Sequence, residues 1–268
     1  MFPCGLFHSM AALIFLAPCI ALADADDFAP QTTPSPFTDA QIQDFATSAF
    51  VNSLLRSAPD LAFSDEQIAF WVGKAKNACS TLKADDVDTS KTYDVVLQVG
   101  HFPRTSGKTG GTGKHVTEQE VAALVATLTK QQLVAAGINA IVIGADGNPN
   151  LSSKVFLSFH TDSSANECSI GPSIGYDDKH DAENMKYLAA TLAMSLGYKL
   201  DEFMKDNYTK NLRYYYGYKL ADVSKFEGLL EMAELSCPTQ EDNLLGNIPV
   251  LAYNLALFLQ FSLKEPNL

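Results

Sequence analysis

Short apolar runs that alternate with helical patterns constrain the fold of this chain more than any other feature. The runs are rich in branched residues and read YDVVLQV (93–99), INAIVIG (138–144), KVFLSFH (154–160) and GLLEMAEL (228–235). Between and after them, helices are expected at about 118–135, 181–197 and 248–262. This alternation predicts an α/β fold of three layers, in which a mainly parallel or mixed sheet is covered by helices on both faces.

Three segments carry the same signal for the start of a helix. In each, a Ser or Thr is followed three residues later by Gln or Glu, and apolar residues flank the pair, as in FTDAQI (37–42), FSDEQI (63–68) and VTEQEV (116–121). This is the pattern of a capping box with a hydrophobic staple. It predicts helices at about 39–57, 65–82 and 118–135. The first two would form an N-terminal helical region at 38–90, ahead of a catalytic domain at 91–268.

The first 37 residues are predicted to be a targeting signal and a leader. An apolar run at 10–23 is too short to span a bilayer comfortably and ends in Ala-Leu-Ala, the pattern of a signal-peptide cleavage site. A signal peptide at 1–23 and a flexible Pro/Thr/Asp-rich leader at 24–37 follow from this. We therefore expect an exported protein, periplasmic or extracellular, with no transmembrane anchor after cleavage.

Cleavage would leave three of the five cysteines, which allow at most one internal disulfide. Cys168 follows the run that ends at His160, and Cys237 follows the run that contains Glu231. Both cysteines are therefore expected near the same rim. The sequence allows either a disulfide between Cys168 and Cys237 or two reduced cysteines. Cys79 would stay free in both cases.

The net charge of −12 argues against a nucleic-acid partner. Nonspecific binding to phosphates needs clustered Lys and Arg side chains, and the sequence has no such cluster. We expect no nucleic acid among its partners.

Several of the apolar runs lead to side chains that bind metals or transfer protons. YDVVLQV runs into His101, KVFLSF ends at His160, and the last run contains Glu231, while Glu118 opens the helix after the His101 loop. Ligands gather at the carboxyl ends of parallel strands, so these side chains are expected to meet at one edge of the sheet. Two imidazoles and one carboxylate with an open fourth position describe a catalytic zinc site.

Glu118 and Glu231 each have a neighbouring glutamate that could take the same role at the site. Thr117 and Glu120 have the spacing of a capping box, which leaves Glu118 free to turn toward a metal. First-turn glutamates are also common as simple partners of the helix dipole, so Glu120 stays open as an alternative ligand. A buried, unpaired carboxylate is costly, which favours a functional role for Glu231. The alternation of apolar residues around it does not exclude Glu234.

These segments resemble the zinc-dependent N-acetylmuramoyl-L-alanine amidases. Members of that family show an apolar strand into Gly-His, a Glu that opens an amphipathic helix, a Ser-x-His-x-Asn strand end and a late Glu. Residues 93–262 contain the counterparts in the same order, as VVLQVGH, VTEQEVAALVATL, VFLSFHTDSS and LLEMAELSCPTQEDNLL. The resemblance implies that His101, Glu118 and His160 hold Zn²⁺ and that Glu231 is the catalytic carboxylate.

The loops of this chain depart from the family pattern. Phe-Pro-Arg (102–104) follows His101, where the family usually has glycines. Thr161 and Asp162 replace the small residue and the asparagine after the second histidine. These changes spare the metal ligands and alter positions that would contact substrate, so the resemblance is to a divergent branch.

The function implied by the resemblance is hydrolysis of the amide bond between N-acetylmuramic acid and L-alanine in peptidoglycan or muropeptides. One alternative is a zinc carboxypeptidase-like peptidase, although Arg104 stands where that class would need the Glu of His-x-x-Glu. Another is a non-catalytic exported wall-binding or regulatory domain with the amidase fold. A tyrosine cluster, RYYYGY (213–218), fits either a sugar-stacking surface or a half-buried edge.

Overall fold

The computed structural model describes residues 63–146, 150–177, 182–199 and 202–264, apart from the side chains of 182–184. The predicted signal peptide, the leader and the helix expected at 39–57 lie outside these residues. The elements in chain order are α1 (Asp65–Thr81), β1 (Thr92–Val99), α2 (Glu118–Ala135), β2 (Ala140–Ile143), β3 (Leu151–Asp162), β4 (Ser173–Gly175), α3 (Ala182–Leu196), α4 (Lys210–Arg213), a 3₁₀ turn (Tyr216–Lys219), β5 (Ala221–Glu234) and α5 (Pro238–Lys264).

The strands form one five-stranded sheet in the order β2-β1-β3-β5-β4. All neighbouring pairs are parallel except β4, which runs antiparallel to β5 at the edge. The mixed α/β sheet predicted from the sequence is therefore confirmed. The carboxyl ends of β1, β3 and β5 come together because these strands are adjacent and parallel, and His160 lies beside Glu231 in the register of β3 and β5.

The two faces of the sheet are covered differently. The long helices α2, α3 and α5 pack on one face of the sheet, α5 contacts both α2 and α3, and α1 packs against α2 and α5. The other face is covered by the segment around α4 and the 3₁₀ turn, whose side chains Leu212, Tyr215 and Tyr218 join a buried cluster with Val96 and Phe156. Helical cover on both faces is thus present, but it is short on the second face.

Helix starts marked by a capping box were predicted well, and the starts of α5 and β5 were not. Both described capping boxes are present, at Ser64 with Gln67 and at Thr117 with Glu120. In contrast, α5 begins at Pro238, ten residues before the predicted start at 248, and β5 begins at Ala221 rather than 228. Among the described residues α5 is the helix long and apolar enough to cross a membrane, but 67% of its most apolar window is buried inside the protein. Burial of this kind explains its apolar composition as core packing.

Candidate active site

The loop between β1 and α2 presents His101. Its backbone has a φ of 60°, in the left-handed region that residues other than glycine rarely adopt. The ring is held from behind, since its Nδ1 lies 2.8 Å from the carbonyl oxygen of Lys108, and this leaves Nε2 facing the site. Gly100 has to be a glycine, because a Cβ there would lie 2.6 Å from Nδ1 of His160.

The first turn of α2 separates the roles of its two glutamates. Glu120 completes the capping box by accepting from the backbone N–H of Thr117 at 2.7 Å. Glu118 instead turns inward and is buried, with its Oε2 accepting from the backbone N–H of Gly111 at 2.8 Å. The structure therefore brings Glu118, and not Glu120, to the histidines. Gly110 makes room for it, since a Cβ there would lie 2.6 Å from Oε2 of Glu118.

The end of β3 places His160 between two partners. Its Nδ1 lies 2.8 Å from Oε1 of Glu118, and its Nε2 lies 3.0 Å from the hydroxyl of Tyr215. The side chain is almost completely buried. His101 approaches the same carboxylate, with its Nε2 3.4 Å from Oε1 of Glu118.

The electrostatics of this group favour an ionised carboxylate. Burial by itself would raise the pKa of Glu118, but the interactions of the carboxylate with the His101 and His160 imidazoles outweigh it and lower that pKa to about 2. Burial likewise disfavours the charged form of His101, and the hydrogen bond to Glu118 more than offsets this and raises the pKa of His101. The carboxylate is thus fixed as an anion between two imidazoles.

His101, Glu118 and His160 each offer one ligand atom, and these atoms all lie within 4.8 Å of one another. Two imidazole nitrogens and one carboxylate oxygen form the donor set of a catalytic zinc centre with an open position. The nitrogen of each ring that faces away from the site has its own hydrogen-bond partner, as is usual for metal-binding histidines. The residues present therefore fit a divalent metal such as zinc.

Glu231 lies next to this group on β5, opposite His160 in the sheet register. The residue as a whole is half-buried, but its Oε2 is shielded from solvent and has no hydrogen-bond partner among the described residues. Burial, followed by the negative charges of Glu118 and Asp162, raises the pKa of Glu231 well above its usual range. A shielded carboxylate with an unsatisfied oxygen beside a metal-type cluster is suited to proton transfer.

Glu234 has a different environment although it lies on the same strand. It is fully buried, and both of its oxygens accept hydrogen bonds from the loop after β3 or from the turn before α5. Its Oε1 accepts from the Ser164 hydroxyl (3.0 Å), the Cys168 backbone N–H (3.1 Å) and the Ser236 hydroxyl (2.9 Å), and its Oε2 accepts from the Ile170 backbone N–H (2.8 Å). The structure therefore assigns Glu234 to loop folding and leaves Glu231 at the site.

Cys168 and Cys237 form a disulfide with a Cα–Cα distance of 4.6 Å. Of the two outcomes left open by the sequence, the bonded one is present. The bond ties the loop that follows β3 to the first residues of α5, next to Glu234, and Cys79 is free.

The residues that depart from the amidase pattern are engaged around the site. Arg104 binds Asp146 through two of its nitrogens and reaches the Lys108 carbonyl oxygen at 3.4 Å, the same oxygen that holds His101. Asp162 accepts a hydrogen bond from the Tyr208 hydroxyl, and burial raises its pKa. Arg104 stands where the family usually has a glycine and Asp162 where it has an asparagine, and both side chains are held by hydrogen bonds.

Sequence reasoning missed the residues that support the ligands from behind. Tyr215 belongs to a cluster in which no pattern singles out one member, and it is the one whose hydroxyl reaches His160. Gln98 does carry a signal in the sequence, because a glutamine in the apolar run YDVVLQV needs a buried partner. Glu241 of α5 was also missed; its carboxylate accepts from the backbone N–H groups of residues 114–116, just before Glu118.

No protein-family model matches this chain, and no curated protein matches it. Solved structures do. Cwp6 from Clostridium difficile matches with a TM-score of 0.50 and 19% identity, over 65% of this chain and 30% of that chain. The N-acetylmuramoyl-L-alanine amidase AmiC2 of Nostoc punctiforme matches with a TM-score of 0.48 and 16% identity, over 65% of this chain and 98% of that one.

The catalytic domain of CwlV, an N-acetylmuramoyl-L-alanine amidase from Bacillus (Paenibacillus) polymyxa, has a TM-score of 0.45 and 18% identity, over 64% of this chain and 99% of that one. Identities this low report on fold and not on activity. The resemblance to N-acetylmuramoyl-L-alanine amidases that the sequence predicts is met again among these solved structures, and the likeness of fold rests on the match to Cwp6.

Proposed function

We propose that this protein is a zinc-dependent hydrolase that cleaves the amide bond between N-acetylmuramic acid and L-alanine in peptidoglycan or its fragments. The observation that carries the proposal is the convergence of His101, Glu118 and His160 within 4.8 Å, with the unpaired Oε2 of Glu231 beside them. The shared fold supports the choice of an amide as the bond that is hydrolysed.

In this proposal His101, Glu118 and His160 hold the metal and Glu231 moves the proton. Zn²⁺ in such a site supplies Lewis-acid chemistry, because it polarises a carbonyl and lowers the pKa of water. The Glu231 carboxylate takes a proton from the attacking water and gives it to the leaving amine nitrogen of L-alanine. Its unsatisfied Oε2 has no competing donor among the described residues. The raised pKa belongs to the metal-free protein, and a cation held by the three ligand residues would favour the ionised form that accepts the proton.

We further propose that the protein works outside the cytoplasm. The Cys168–Cys237 disulfide supports this, because structural disulfides persist mainly in oxidising compartments. N-terminal sequencing of the exported protein should begin at Asp24, or at Asp26 if cleavage follows Ala25. An intact Met1 on soluble cytoplasmic protein would contradict the proposal.

The function is tested by incubating purified protein with peptidoglycan, with and without a chelator, and identifying the new ends. Release of L-alanine amino termini that stops with chelator and returns with zinc is the expected result. His101→Ala and His160→Ala should each abolish this release and lower the bound zinc, measured by atomic absorption.

Two other results would replace this function. New termini at other peptide bonds would indicate the peptidase alternative. A zinc-loaded protein that binds peptidoglycan and releases no new termini would indicate the binding domain.

A further inference from the structure

A chain of buried polar side chains runs from His160 away from the candidate metal site. The Nε2 of His160 lies 3.0 Å from the Tyr215 hydroxyl, which donates to Oε1 of Gln98 at 2.7 Å. The Ser158 hydroxyl also donates to that oxygen, at 2.8 Å. These hydrogen bonds link β1, β3 and the segment after α4 beneath the site.

The direction of these hydrogen bonds depends on the orientation of the Gln98 amide, whose Oε1 faces both hydroxyls and whose buried Nε2 has no partner among the described residues. An amide oxygen can only accept, so the single proton of the Tyr215 hydroxyl points to Gln98. A lone pair of the same hydroxyl is then left for His160, whose Nε2 must carry the proton of that bond. In this orientation of Gln98, His160 is the tautomer protonated on Nε2; with the amide turned over, Nε2 of Gln98 would donate to both hydroxyls and the Tyr215 proton would point to His160. In either case the Tyr215 hydroxyl holds Nε2 of His160 and leaves Nδ1 facing Glu118.

The tautomer protonated on Nε2 points its free nitrogen toward the metal site. With the proton on Nε2, the lone pair of Nδ1 faces Oε1 of Glu118, 2.8 Å away. Two acceptors facing each other repel unless a cation lies between them or the ring takes a second proton. The arrangement presents both atoms as ligands of one ion, and the other nitrogen of His101 is fixed in the same manner by Lys108.

We infer that Tyr215 is a positioning residue of the metal centre, which holds His160 in the tautomer and orientation that bind the metal through Nδ1. The inference rests on the proposed metal site. It adds Tyr215 as a supporting residue and specifies Nδ1 as the ligand atom of His160. A metal-binding histidine usually gives its second N–H to a carboxylate, a carbonyl or water. A tyrosine relayed to a buried glutamine performs that function here.

The test compares zinc affinity in Tyr215→Phe and wild type, by competition with a chromophoric chelator at a temperature where both are folded. Removal of the hydroxyl should weaken zinc binding roughly 10–100-fold, the usual effect of losing such a partner. Tyr214→Phe is the matched control, because Tyr214 is the adjacent residue and is 70% exposed. It should bind zinc as wild type does.

A nitrogen-resolved NMR experiment on the zinc-loaded wild type separates positioning from a general loss of packing. The His160 imidazole should carry its proton on Nε2, with a downfield, slowly exchanging resonance, and bind zinc through Nδ1. In zinc-saturated Tyr215→Phe that resonance should move upfield and exchange faster. This measurement on the wild type stands even if the variant fails to fold.

The outcomes distinguish this inference from the proposed function. If the wild type binds zinc tightly and Tyr215→Phe binds it equally well, the role of Tyr215 is refuted and the metal site stands. The role of Tyr215 is refuted in the same way if zinc-loaded His160 carries its proton on Nδ1. If the wild type binds no zinc, both proposals are refuted together.

Discussion

Two glutamates three residues apart on β5 have opposite surroundings. Glu234 is fully buried and accepts hydrogen bonds on both oxygens, and it joins the loop after β3 to the start of α5. Glu231 has a shielded oxygen with no partner among the described residues, and the charges of Glu118 and Asp162 lie close to it. The two residues look equivalent in the sequence GLLEMAEL.

The difference shows how a buried carboxylate can be assigned to structure or to chemistry. Hydrogen bonds that satisfy a buried carboxylate stabilise the fold, and their loss leaves buried donors without partners. A carboxylate that is shielded, unsatisfied and crowded by like charge destabilises the fold, and such sites persist where function requires them. The predictions below separate the two residues by what each loses on replacement.

The largest effect is expected from Glu231→Gln. The amide keeps the shape of the side chain and cannot take a proton, so turnover of peptidoglycan should fall roughly 10²–10⁴-fold. Zinc content, measured on the same preparation, should be unchanged because Glu231 is not among the three ligand residues. Wild-type turnover by this variant would remove Glu231 from the mechanism.

Removal of the disulfide should affect stability and not the metal. The bond closes a sequence separation of 69 residues, so the Cys168→Ala/Cys237→Ala double variant should lose about 2–4 kcal/mol in the free energy of unfolding. Urea unfolding measures the loss. Cys79→Ala, which removes the free cysteine, is the control and should cost much less. Loss of zinc in the folded double variant would mean that the disulfide also supports the metal site.

A smaller effect is expected from Glu234→Gln. The new amide group would face donors where the carboxylate had accepted, which leaves at least one buried N–H or O–H unsatisfied. The expected loss in the free energy of unfolding is about 1–3 kcal/mol, again from urea titration. Turnover by the folded fraction should stay near that of wild type. A loss of turnover as large as that of Glu231→Gln would show that the assignments of the two glutamates are wrong.

The sequence predicted those parts of the molecule that depend on local patterns. The capping box at Thr117 and Glu120 fixed the start of α2 at Glu118, and strand ends indicated His101 and His160. Once the sheet was expected to be parallel, the convergence of these residues followed from the adjacency of β1 and β3. Residue types at strand ends, together with the rule that ligands gather at the carboxyl ends of parallel strands, were sufficient to predict this part of the site.

Features that depend on contacts between distant segments were not predicted. Nothing near Glu234 in sequence indicates that donors from residues 164–170 surround it, and Tyr215 reaches His160 from 55 residues away. The start of α5 was also misplaced, because the first turns of that helix contain the polar run TQEDN (239–243). Glu241 within this run turns inward and accepts from the backbone N–H groups of residues 114–116. Hydrophobic periodicity does not record such buried polar contacts.

The smallest effect concerns the stability of the metal-free protein against pH. The folded pKa of Glu231 is raised by burial and by like charge, so the native state holds a proton that the unfolded state releases near the usual glutamate pKa of about 4.3. Above that pH the unfolded state binds fewer protons, and the stability of chelator-treated wild type should fall as pH rises, by no more than about 1.4 kcal/mol per pH unit for a single group. Glu231→Gln has no such proton and should lack this part of the slope, whereas Glu234→Gln should keep it. Parallel pH profiles for wild type and Glu231→Gln would mean that Glu231 is ionised in the folded protein. The surroundings of Glu231 would then not differ from those of Glu234 in the way described above.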